Sequence, residues 1–201
     1  MIKAVISDMG NVILPFDVSL FLKKMAQYSF MKEREVMELP VLHDGLIKSF
    51  SKGEISSKKY YKSMKEVFKA NIRFKKFRNI YCDIFSLNAE VLETLTKLKG
   101  KNKLFLLSNT DALHFNFIRK KFPDIFIFDD YILSYEAGWI KPEEEIFKLA
   151  LKKSEEEPEN TVFIDDMEEN IKAAEALGMK TIHFDSETDL KVELDKLGIS
   201  F

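Results

Sequence analysis

The apolar residues of the chain follow two different spacings, and the spacing changes twice along the sequence. A short, β-branched run from Ile2 to Ser7 predicts a buried strand at the start. From Asp17 to Phe85 the apolar residues instead recur at helical spacing, and no convincing strand is present. After Asn88, strand-like and helical runs alternate. Such alternation is typical of a parallel sheet with helices on its faces.

The helical stretch after the first strand is an insertion. It is about seventy residues long, which is too long for an ordinary connection between two strands. Gly45 and Gly53 are predicted to separate its helices. We therefore predict a core domain formed by residues 1–15 and 88–201, with an inserted helical segment over residues 16–87.

The second half of the chain supplies the rest of the predicted sheet. Asn88 is a candidate N-cap for its first helix, and Pro142 is predicted in the first turn of a later helix, where its missing N–H is not needed. A short helix from Leu190 to Leu197 closes the chain. The fold class is therefore α/β, a Rossmann-like doubly wound parallel sheet. The predicted strands of this half lie at Lys103–Leu107, Phe126–Phe128, Tyr131–Leu133, Thr161–Ile164 and Lys180–Phe184.

The composition allows a sizeable core and excludes several classes of protein. The chain has 201 residues, of which 46% are hydrophobic, enough to bury the core of a large domain. No apolar run reaches the roughly 18 residues of a membrane span. The single cysteine, Cys82, cannot form an internal disulfide. We expect a soluble protein of the cytoplasm without a membrane partner.

The net charge of −2 hides an uneven distribution. Residues 16–88 carry 15 Lys and Arg against 8 Asp and Glu, whereas the remainder carries 16 against 25. A basic segment facing an acidic one would suit an anionic substrate, but an ordinary solvated surface explains the same counts better. The basic and aromatic stretch from Arg73 to Arg78 fits an amphipathic helix better than a nucleic-acid site. We expect no nucleic-acid partner, and the sequence gives no prediction of the oligomeric state.

Polar residues of complementary type follow three of the predicted strands. Asp8 follows the first strand, Ser108 and Asn109 follow a second, and Asp165 and Asp166 follow a third. Asp8 by itself would equally serve to cap a turn. Because the carboxyl ends of adjacent parallel strands meet at one edge of a sheet, we expect these side chains to lie together. Carboxylate oxygens suit Mg²⁺ better than zinc, and a hydroxyl beside turn amides suits a phosphate.

A cation is also needed at this edge to offset the carboxylates and a bound phosphate. Lys141 lies directly before Pro142 and is the candidate. In this order, these residues resemble the four motifs of the haloacid dehalogenase superfamily, and the resemblance covers nearly the whole chain. The matching stretches are Val5–Val12, Leu104–Thr110, Ile140–Glu143 and Val162–Asp166.

Finer features resemble one branch of that superfamily, the bacterial sugar-phosphate (glucose-1-phosphatase-like) phosphatases, which carry Asp-Leu-Gly-Asn-Val at the first motif. Here this motif is Asp-Met-Gly-Asn-Val, from Asp8 to Val12. The inserted helices correspond in position to the C1 cap of the family, a lid over the active site. The resemblance implies a Mg²⁺-dependent phosphoric monoester hydrolase.

The resemblance also implies roles for individual residues. Asp8 would attack phosphorus and form an aspartyl-phosphate, which divides one difficult displacement into two easier ones. The implied catalytic residues are Asp8, Ser108 and Lys141. The implied magnesium ligands are the Asp8 carboxylate, the Gly10 carbonyl, Asp166 and, beside it or through water, Asp165. The implied phosphate-binding groups are Ser108, the Asn109 amide and Lys141.

One departure from the superfamily pattern concerns the general acid. Most phosphatases of the superfamily have an Asp two residues after the nucleophile, whereas this chain has Gly10. The loss should remove on the order of 10²–10⁴-fold of acid–base assistance unless another group replaces it. Asp17 and His43 are candidates for that group. We interpret Asp17 as a helix N-cap and His43 as a surface or hinge residue instead.

The predicted function is hydrolysis of a small phosphorylated metabolite, with a sugar phosphate as one candidate, by a Mg²⁺-dependent enzyme. Two alternatives stay open at this point. A 2-haloacid dehalogenase of the same fold also lacks the second acid, but it needs no metal, which leaves Asp165 and Asp166 without a purpose. A catalytically weak binding or regulatory protein of this fold has no reason to keep all four of Asp8, Ser108, Lys141 and Asp166.

Overall fold

The structure is a computed structural model that describes residues 1–42 and 44–200. Its single sheet contains five parallel strands, β1 (Ala4–Ser7), β2 (Lys103–Ser108), β3 (Asp130–Leu133), β4 (Thr161–Asp165) and β5 (Lys180–His183). The strand order is β3-β2-β1-β4-β5, so β1 lies between β2 and β4. The chain adds two strands on one side of β1 and then two on the other. The predicted doubly wound α/β sheet is confirmed.

The central strands are buried on both faces, which explains their nearly continuous apolar sequence. Val5 of β1 is in register with Leu104 of β2 and Val162 of β4, and these three side chains belong to one apolar cluster. The alternate residues point to the opposite face of the sheet, because side chains alternate along a strand. Ile6 and Phe163 belong to a second cluster there.

Helices cover both faces of this sheet and also form the inserted segment. The helices of the inserted segment are α1 (Val18–Ala26), α2 (Glu33–Leu42), α3 (Asp44–Ser51), α4 (Ser57–Val67) and α5 (Phe74–Cys82). The remaining helices are α6 (Ala89–Leu98), α7 (Ala112–Lys121), α8 (Ser134–Ala137), α9 (Glu144–Ser154), α10 (Glu168–Ala176) and α11 (Leu190–Lys196). Helices α6, α7 and α11 pack on one face of the sheet, and α9 and α10 pack on the other. Among the described helices, none is both long and apolar enough to cross a lipid bilayer.

The helices α1 to α5 bury their apolar faces mainly against one another. Their cluster is rich in aromatic rings: Phe21 makes edge-to-face contacts with Phe68, Phe77 and Tyr81, with ring centroids 5.4–6.0 Å apart. Such pairs add stability beyond the area that they bury. This cluster also includes Leu113 of α7, so the inserted segment rests on the sheet domain through a shared apolar contact.

The chain enters and leaves the inserted segment at one place. Phe16 and Phe85 form an isolated antiparallel bridge, and their rings meet edge to face at 6.0 Å. The backbone N–H of Ser86 donates to the Pro15 carbonyl at 2.9 Å. The two segments that connect the sheet domain to the inserted helices therefore run side by side, next to the loop that follows β1.

Three sequence-based predictions of local structure are wrong. Phe126–Phe128 is not a strand: it follows a 3-10 helix at Pro123–Ile125, and the pairing with β2 begins only at Asp130. Its apolar residues are buried as a loop against the sheet cluster, which produces a strand-like pattern without strand pairing. Gly45 lies inside α3 and does not separate two helices.

Pro142 precedes its helix instead of lying in the first turn. The Glu143 side chain accepts a hydrogen bond from the Ile140 N–H at 3.0 Å, and the Glu143 N–H donates to the Ile140 carbonyl at 2.8 Å. These two bonds close a turn, so α9 begins only at Glu144. The sequence also gave no signal for α8, a helix of only four residues.

Candidate active site

Asp8 directly follows the central strand and is almost fully buried. Its carboxylate Oδ1 accepts hydrogen bonds from the Met9 N–H at 2.6 Å and from the Lys141 ammonium at 2.8 Å. None of the described residues donates to Oδ2. Burial raises the pKa of Asp8 to about 6, although Lys141 opposes this rise. One oxygen is thus held in place and the other is left available.

Lys141 is the cation at the centre of the site. Its ammonium contacts Asp8 at 2.8 Å, Asp165 Oδ2 at 2.6 Å and the Leu107 carbonyl at 3.1 Å, and the side chain is 1% exposed. Burial disfavours the charged ammonium, but the two carboxylates outweigh this effect and raise the pKa of Lys141. The lysine is therefore charged and bridges the ends of β1 and β4.

Asn109 positions Lys141 through its backbone. The Asn109 Nδ2 donates to the Lys141 carbonyl at 2.9 Å, and its Oδ1 accepts from the Lys141 N–H at 2.7 Å. Sequence reasoning assigned a role only to the backbone amide of Asn109 and missed this side-chain bracket. No local signal in the sequence joins two residues 32 positions apart. Ser108, which precedes Asn109, is buried at the end of β2.

The two acids at the end of β4, Asp165 and Asp166, have different surroundings. Asp165 is fully buried, and its oxygens accept from the Met167 N–H, the Asn170 amide and Lys141. Asp166 is partly exposed and accepts one hydrogen bond, at 2.9 Å, from the Asn11 amide. Asp165 is thus engaged on both oxygens, whereas Asp166 keeps one oxygen without a donor among the described residues.

Asn11 is a second positioning residue that sequence reasoning missed. Its φ of 51° is the left-handed conformation that Asn tolerates better than most residues, and it follows Gly10 in the loop after β1. This conformation accompanies the hydrogen bond from the Asn11 amide to Asp166 of the neighbouring strand. The signal was present, since the pair Gly10–Asn11 permits a tight turn, but the sequence does not say where the amide points.

The site residues fit a divalent metal ion. Asp8, Asp165 and Asp166 each offer an oxygen, and these oxygens lie within 4.8 Å of one another. Against these three carboxylates the cluster holds one ammonium, that of Lys141, which leaves an excess of negative charge. Oxygen donors in a cluster of this size are the ligands that Mg²⁺ prefers in proteins. From the part of the chain that the structure describes, the Gly10 carbonyl accepts one hydrogen bond, from the Val12 N–H at 2.7 Å, and so retains a lone pair.

The position of the missing general acid is close to an aromatic ring. A Cβ atom at Gly10 would lie 3.1 Å from the ring of Phe16. Asp17, one candidate to replace the acid, is exposed and accepts a hydrogen bond from the Ser19 N–H at 2.8 Å as the N-cap of α1. This contact supports the capping interpretation. The other candidate, His43, lies outside the described residues.

The structure thus brings the predicted site residues to one edge of the sheet. Asp8, Lys141 and Asp165 are in direct contact, Asp166 lies within the carboxylate cluster, and Asn109 holds Lys141. Ser108 faces a cavity between this edge and the inserted helices, together with Gly10 and Asn109. The arrangement presents a carboxylate oxygen of Asp8 beside a buried ammonium, within a group of three acids that could hold a metal ion.

Comparison with known proteins identifies relatives over the full length. The chain is 26% identical over 205 residues to a D-ribitol-5-phosphate phosphatase from Bacteroides thetaiotaomicron, covering 96% of this chain and 97% of the relative. It superposes with a TM-score of 0.85 on a haloacid dehalogenase family enzyme of the same organism, solved in complex with magnesium and inorganic phosphate. That pair is 27% identical, over 96% of this chain and 99% of the other.

A predicted hydrolase of this family from Porphyromonas gingivalis shares the fold, with a TM-score of 0.86, 22% identity and complete coverage of both chains. The family model for haloacid dehalogenase-like hydrolases matches residues 2–178 of the sequence. This match spans the strand-end residues of the site as well as the inserted helices. The chain therefore belongs to the haloacid dehalogenase-like hydrolase family.

Proposed function

We propose that the protein is a Mg²⁺-dependent phosphatase that hydrolyses a small phosphorylated metabolite. The observation that carries this proposal is the cluster in which Lys141 joins Asp8 and Asp165 while Asp166 completes a set of three acids. The comparisons support it, since the chain is similar over nearly its full length to a D-ribitol-5-phosphate phosphatase and to a family enzyme solved with magnesium and inorganic phosphate. A sugar phosphate is therefore one candidate substrate. The proposed location is the cytoplasm, because the buried, unpaired Cys82 suits a reducing compartment.

Asp8 is the proposed nucleophile. Its Oδ1 is held by Met9 and Lys141, so the free Oδ2 is the atom that attacks phosphorus. A bond forms between Oδ2 and phosphorus as the bond from phosphorus to the alcohol oxygen breaks, and the alcohol leaves with a proton from solvent. Water then attacks the aspartyl-phosphate, which releases inorganic phosphate and regenerates Asp8. Splitting the displacement in this way replaces one difficult step with two easier ones.

The remaining site residues hold charge and position. Asp8, the Gly10 carbonyl and Asp166 would hold Mg²⁺ directly, since Asp165 is already engaged by three donors. When bound, the ion supplies positive charge that offsets the repulsion between the carboxylates and the phosphate. Lys141, oriented by Asp165, contacts the transferring phosphoryl oxygens. The other proposed phosphate-binding groups are the Ser108 hydroxyl and the Asn109 amide.

The inserted segment, residues 16–87, is the proposed cap over this site. Besides its apolar contact with α7, it contacts the sheet domain through Lys52, whose ammonium donates to the Glu143 carboxylate at 2.5 Å. Glu143 lies two residues after Lys141 in the sequence. Gly53 lies so close to the core that a Cβ atom there would meet the Tyr135 carbonyl oxygen at 2.2 Å. These contacts support the proposal, because one of them lies two residues from Lys141.

Removal of divalent metal tests the metal assignment. Chelation with EDTA should stop hydrolysis, and added Mg²⁺ should restore it, because Asp8, Asp166 and the phosphate otherwise repel one another. Asp166→Ala should lower kcat/KM by at least about 10²-fold, since it removes the acid with a free oxygen. Calorimetric titration should show correspondingly weaker Mg²⁺ binding. Asp195→Ala, an exposed acid on α11, is the control and should change neither quantity.

Full activity in EDTA would contradict the metal assignment. Release of chloride from a 2-haloacid by the metal-free protein would favour the dehalogenase alternative, because that reaction needs no cation to neutralise a phosphate. Absence of turnover on every phosphate ester, with Mg²⁺ bound normally, would instead favour a binding or regulatory protein.

The glycine at position 10 predicts a steep dependence on the leaving group. Without an acid there, the departing oxygen receives little protonation, so phosphates of acidic hydroxyls should react fastest. Aryl phosphates and sugar 1-phosphates should therefore react at higher rates than phosphates of primary alcohols. The measurement is single-turnover kinetics at saturating Mg²⁺ on ring-substituted phenyl phosphates, which differ in leaving-group pKa but little in size.

A flat dependence across that series would mean that another residue donates the proton, and Asp17→Asn would then be the first variant to examine. Gly10→Asp is a poor test of the same idea, because the new side chain would press on the Phe16 ring. The wild-type series is therefore the decisive measurement.

A further inference from the structure

A cavity of about 240 Å³ lies between the catalytic loops and the inserted helices. Gly10, Ser108 and Asn109 form its floor, next to the groups proposed to hold the phosphate. Its volume exceeds the roughly 150 Å³ of an engineered apolar cavity that binds benzene. The walls opposite the floor come from α1, α2, α4 and the chain that follows them, and their side chains are mostly hydrocarbon. They include Phe21, Leu39, Met64, Phe68, Ile84 and Phe85.

Three polar side chains of the lining, those of Tyr81, Asp111 and His114, are occupied by one another. The Tyr81 hydroxyl donates to Asp111 Oδ2 at 2.8 Å, and His114 Nδ1 lies 3.0 Å from the same oxygen. His114 Nε2 contacts the Tyr81 carbonyl at 3.1 Å, and the two rings are stacked with centroids 4.1 Å apart. Asp111 also accepts from the backbone of Leu113 as the N-cap of α7. This closed network leaves few donors or acceptors for a bound molecule.

We propose that this cavity binds the organic group of the substrate, and that the group it binds best is a hydrocarbon, such as an aryl, cycloalkyl or alkyl group. The proposal rests on the phosphatase function above and, among the candidate substrates, ranks phosphate esters of apolar alcohols and phenols above sugar phosphates in affinity. A hydroxylated group would lose its hydration in the cavity and meet few hydrogen-bonding partners, chiefly the Ser51 and Thr110 hydroxyls of the lining, so most of its hydroxyls cost affinity. A hydrocarbon loses only unfavourable contact with water.

The test uses phosphonates, because they bind without being hydrolysed. We expect the Kd of n-alkylphosphonates from two to six carbons, measured by calorimetry with saturating Mg²⁺, to fall about three- to fourfold per methylene until the cavity is full. A polyhydroxylated phosphonate of equal carbon number should bind at least about tenfold more weakly than its alkyl counterpart. Equal or tighter binding of the hydroxylated compound, no dependence on chain length, or no binding would overturn the proposal.

A matched pair of variants locates the effect. Met64→Gln replaces a buried wall side chain by a polar one of similar length and should weaken hexylphosphonate binding by about tenfold. Lys62→Gln lies on the same helix but is exposed, and it should leave the Kd unchanged. Equal Kd values for wild type and a folded Met64→Gln would place the alkyl chain elsewhere and refute the proposal. If Met64→Gln does not fold, the wild-type series decides alone.

Binding and turnover separate this proposal from the proposed function. Tightening of Kd with chain length, but no hydrolysis of any ester, would overturn the phosphatase assignment and leave the apolar cavity established. Hydrolysis of 4-nitrophenyl phosphate without any tightening of Kd with chain length would support the phosphatase assignment and overturn the proposal of an apolar binding cavity.

Discussion

Asp8→Asn is expected to reduce phosphatase turnover by at least about 10³-fold, because the amide cannot attack phosphorus and binds Mg²⁺ poorly. The fold should not suffer. Burial raises the pKa of Asp8, so the native state carries a cost for its negative charge above the pKa of about 6. A neutral side chain of the same shape removes that cost, and Lys141 keeps its contact with Asp165. The melting temperature at pH 7.5 in EDTA should therefore be equal to that of wild type or higher.

Rapid-quench experiments with a ³²P-labelled ester should show a phosphorylated wild-type protein and an unlabelled Asp8→Asn protein. Turnover by purified Asp8→Asn at the wild-type rate would contradict the covalent mechanism. A large fall in the melting temperature would instead mean that Asp8 has a structural role that the contacts do not indicate. The two measurements thus separate loss of chemistry from loss of fold.

Lys141→Met should affect both activity and stability. The variant leaves the buried carboxylates of Asp8 and Asp165 without their cation, and removing one partner of a buried ion pair costs about 3–5 kcal/mol. The folded protein must then bury two negative charges side by side without the cation that opposes the rise of the Asp8 pKa, so the native pKa of Asp8 lies further above that of the unfolded chain. The variant should consequently lose stability as the pH rises from the pKa of the unfolded chain to that of the folded protein. Its free energy of unfolding should lie furthest below that of wild type near pH 8 and closest to it near pH 5.

The measurement is urea unfolding of both proteins in EDTA at several pH values, together with kcat/KM in Mg²⁺. Activity should be lost by at least about 10²-fold because a phosphoryl-binding charge is gone. Lys148→Met is the matched control, since that lysine is exposed and pairs only with Glu144 one turn away. It should change stability by less than about 0.5 kcal/mol. Equal stability of Lys141→Met and wild type at pH 8 would mean that the carboxylates are not held as an ion cluster.

The edge of the sheet on which the site lies was predictable because it depends on strand order and strand ends. The strands can be recognised in the sequence as apolar runs that end at Asp8, Ser108 and Asp165. The carboxyl ends of neighbouring parallel strands lie at the same edge of a sheet, so these residues were expected to lie together. The hydrogen bonds that orient these groups were not predictable. Asn109 and Lys141 are 32 positions apart, and Asn11 and Asp166 are 155 apart, so only the folded chain brings each pair together.

The interior of the inserted segment was predictable only as helical periodicity. That pattern marks the side chains that are buried, but it does not distinguish a residue that packs against a neighbouring helix from one that faces a cavity. Phe68 and Met64 satisfy the pattern equally, and both prove to line the space above the catalytic loop. The contact of His114 with Tyr81 was likewise not predictable, because it joins α7 to the inserted helix α5.

The side-by-side crossing at Phe16 and Phe85 has a consequence for how such proteins diversify. Since Pro15 and Ser86 are joined by a backbone hydrogen bond, the two cut points of the inserted segment are a single bond apart in space. A short turn in place of residues 16–85 would span them without moving β1 or α6, and so would a different set of helices. The inserted segment is therefore a module that recombination at this one junction could exchange. Such an exchange would replace the helices above the site and leave the strands that carry the site residues unchanged.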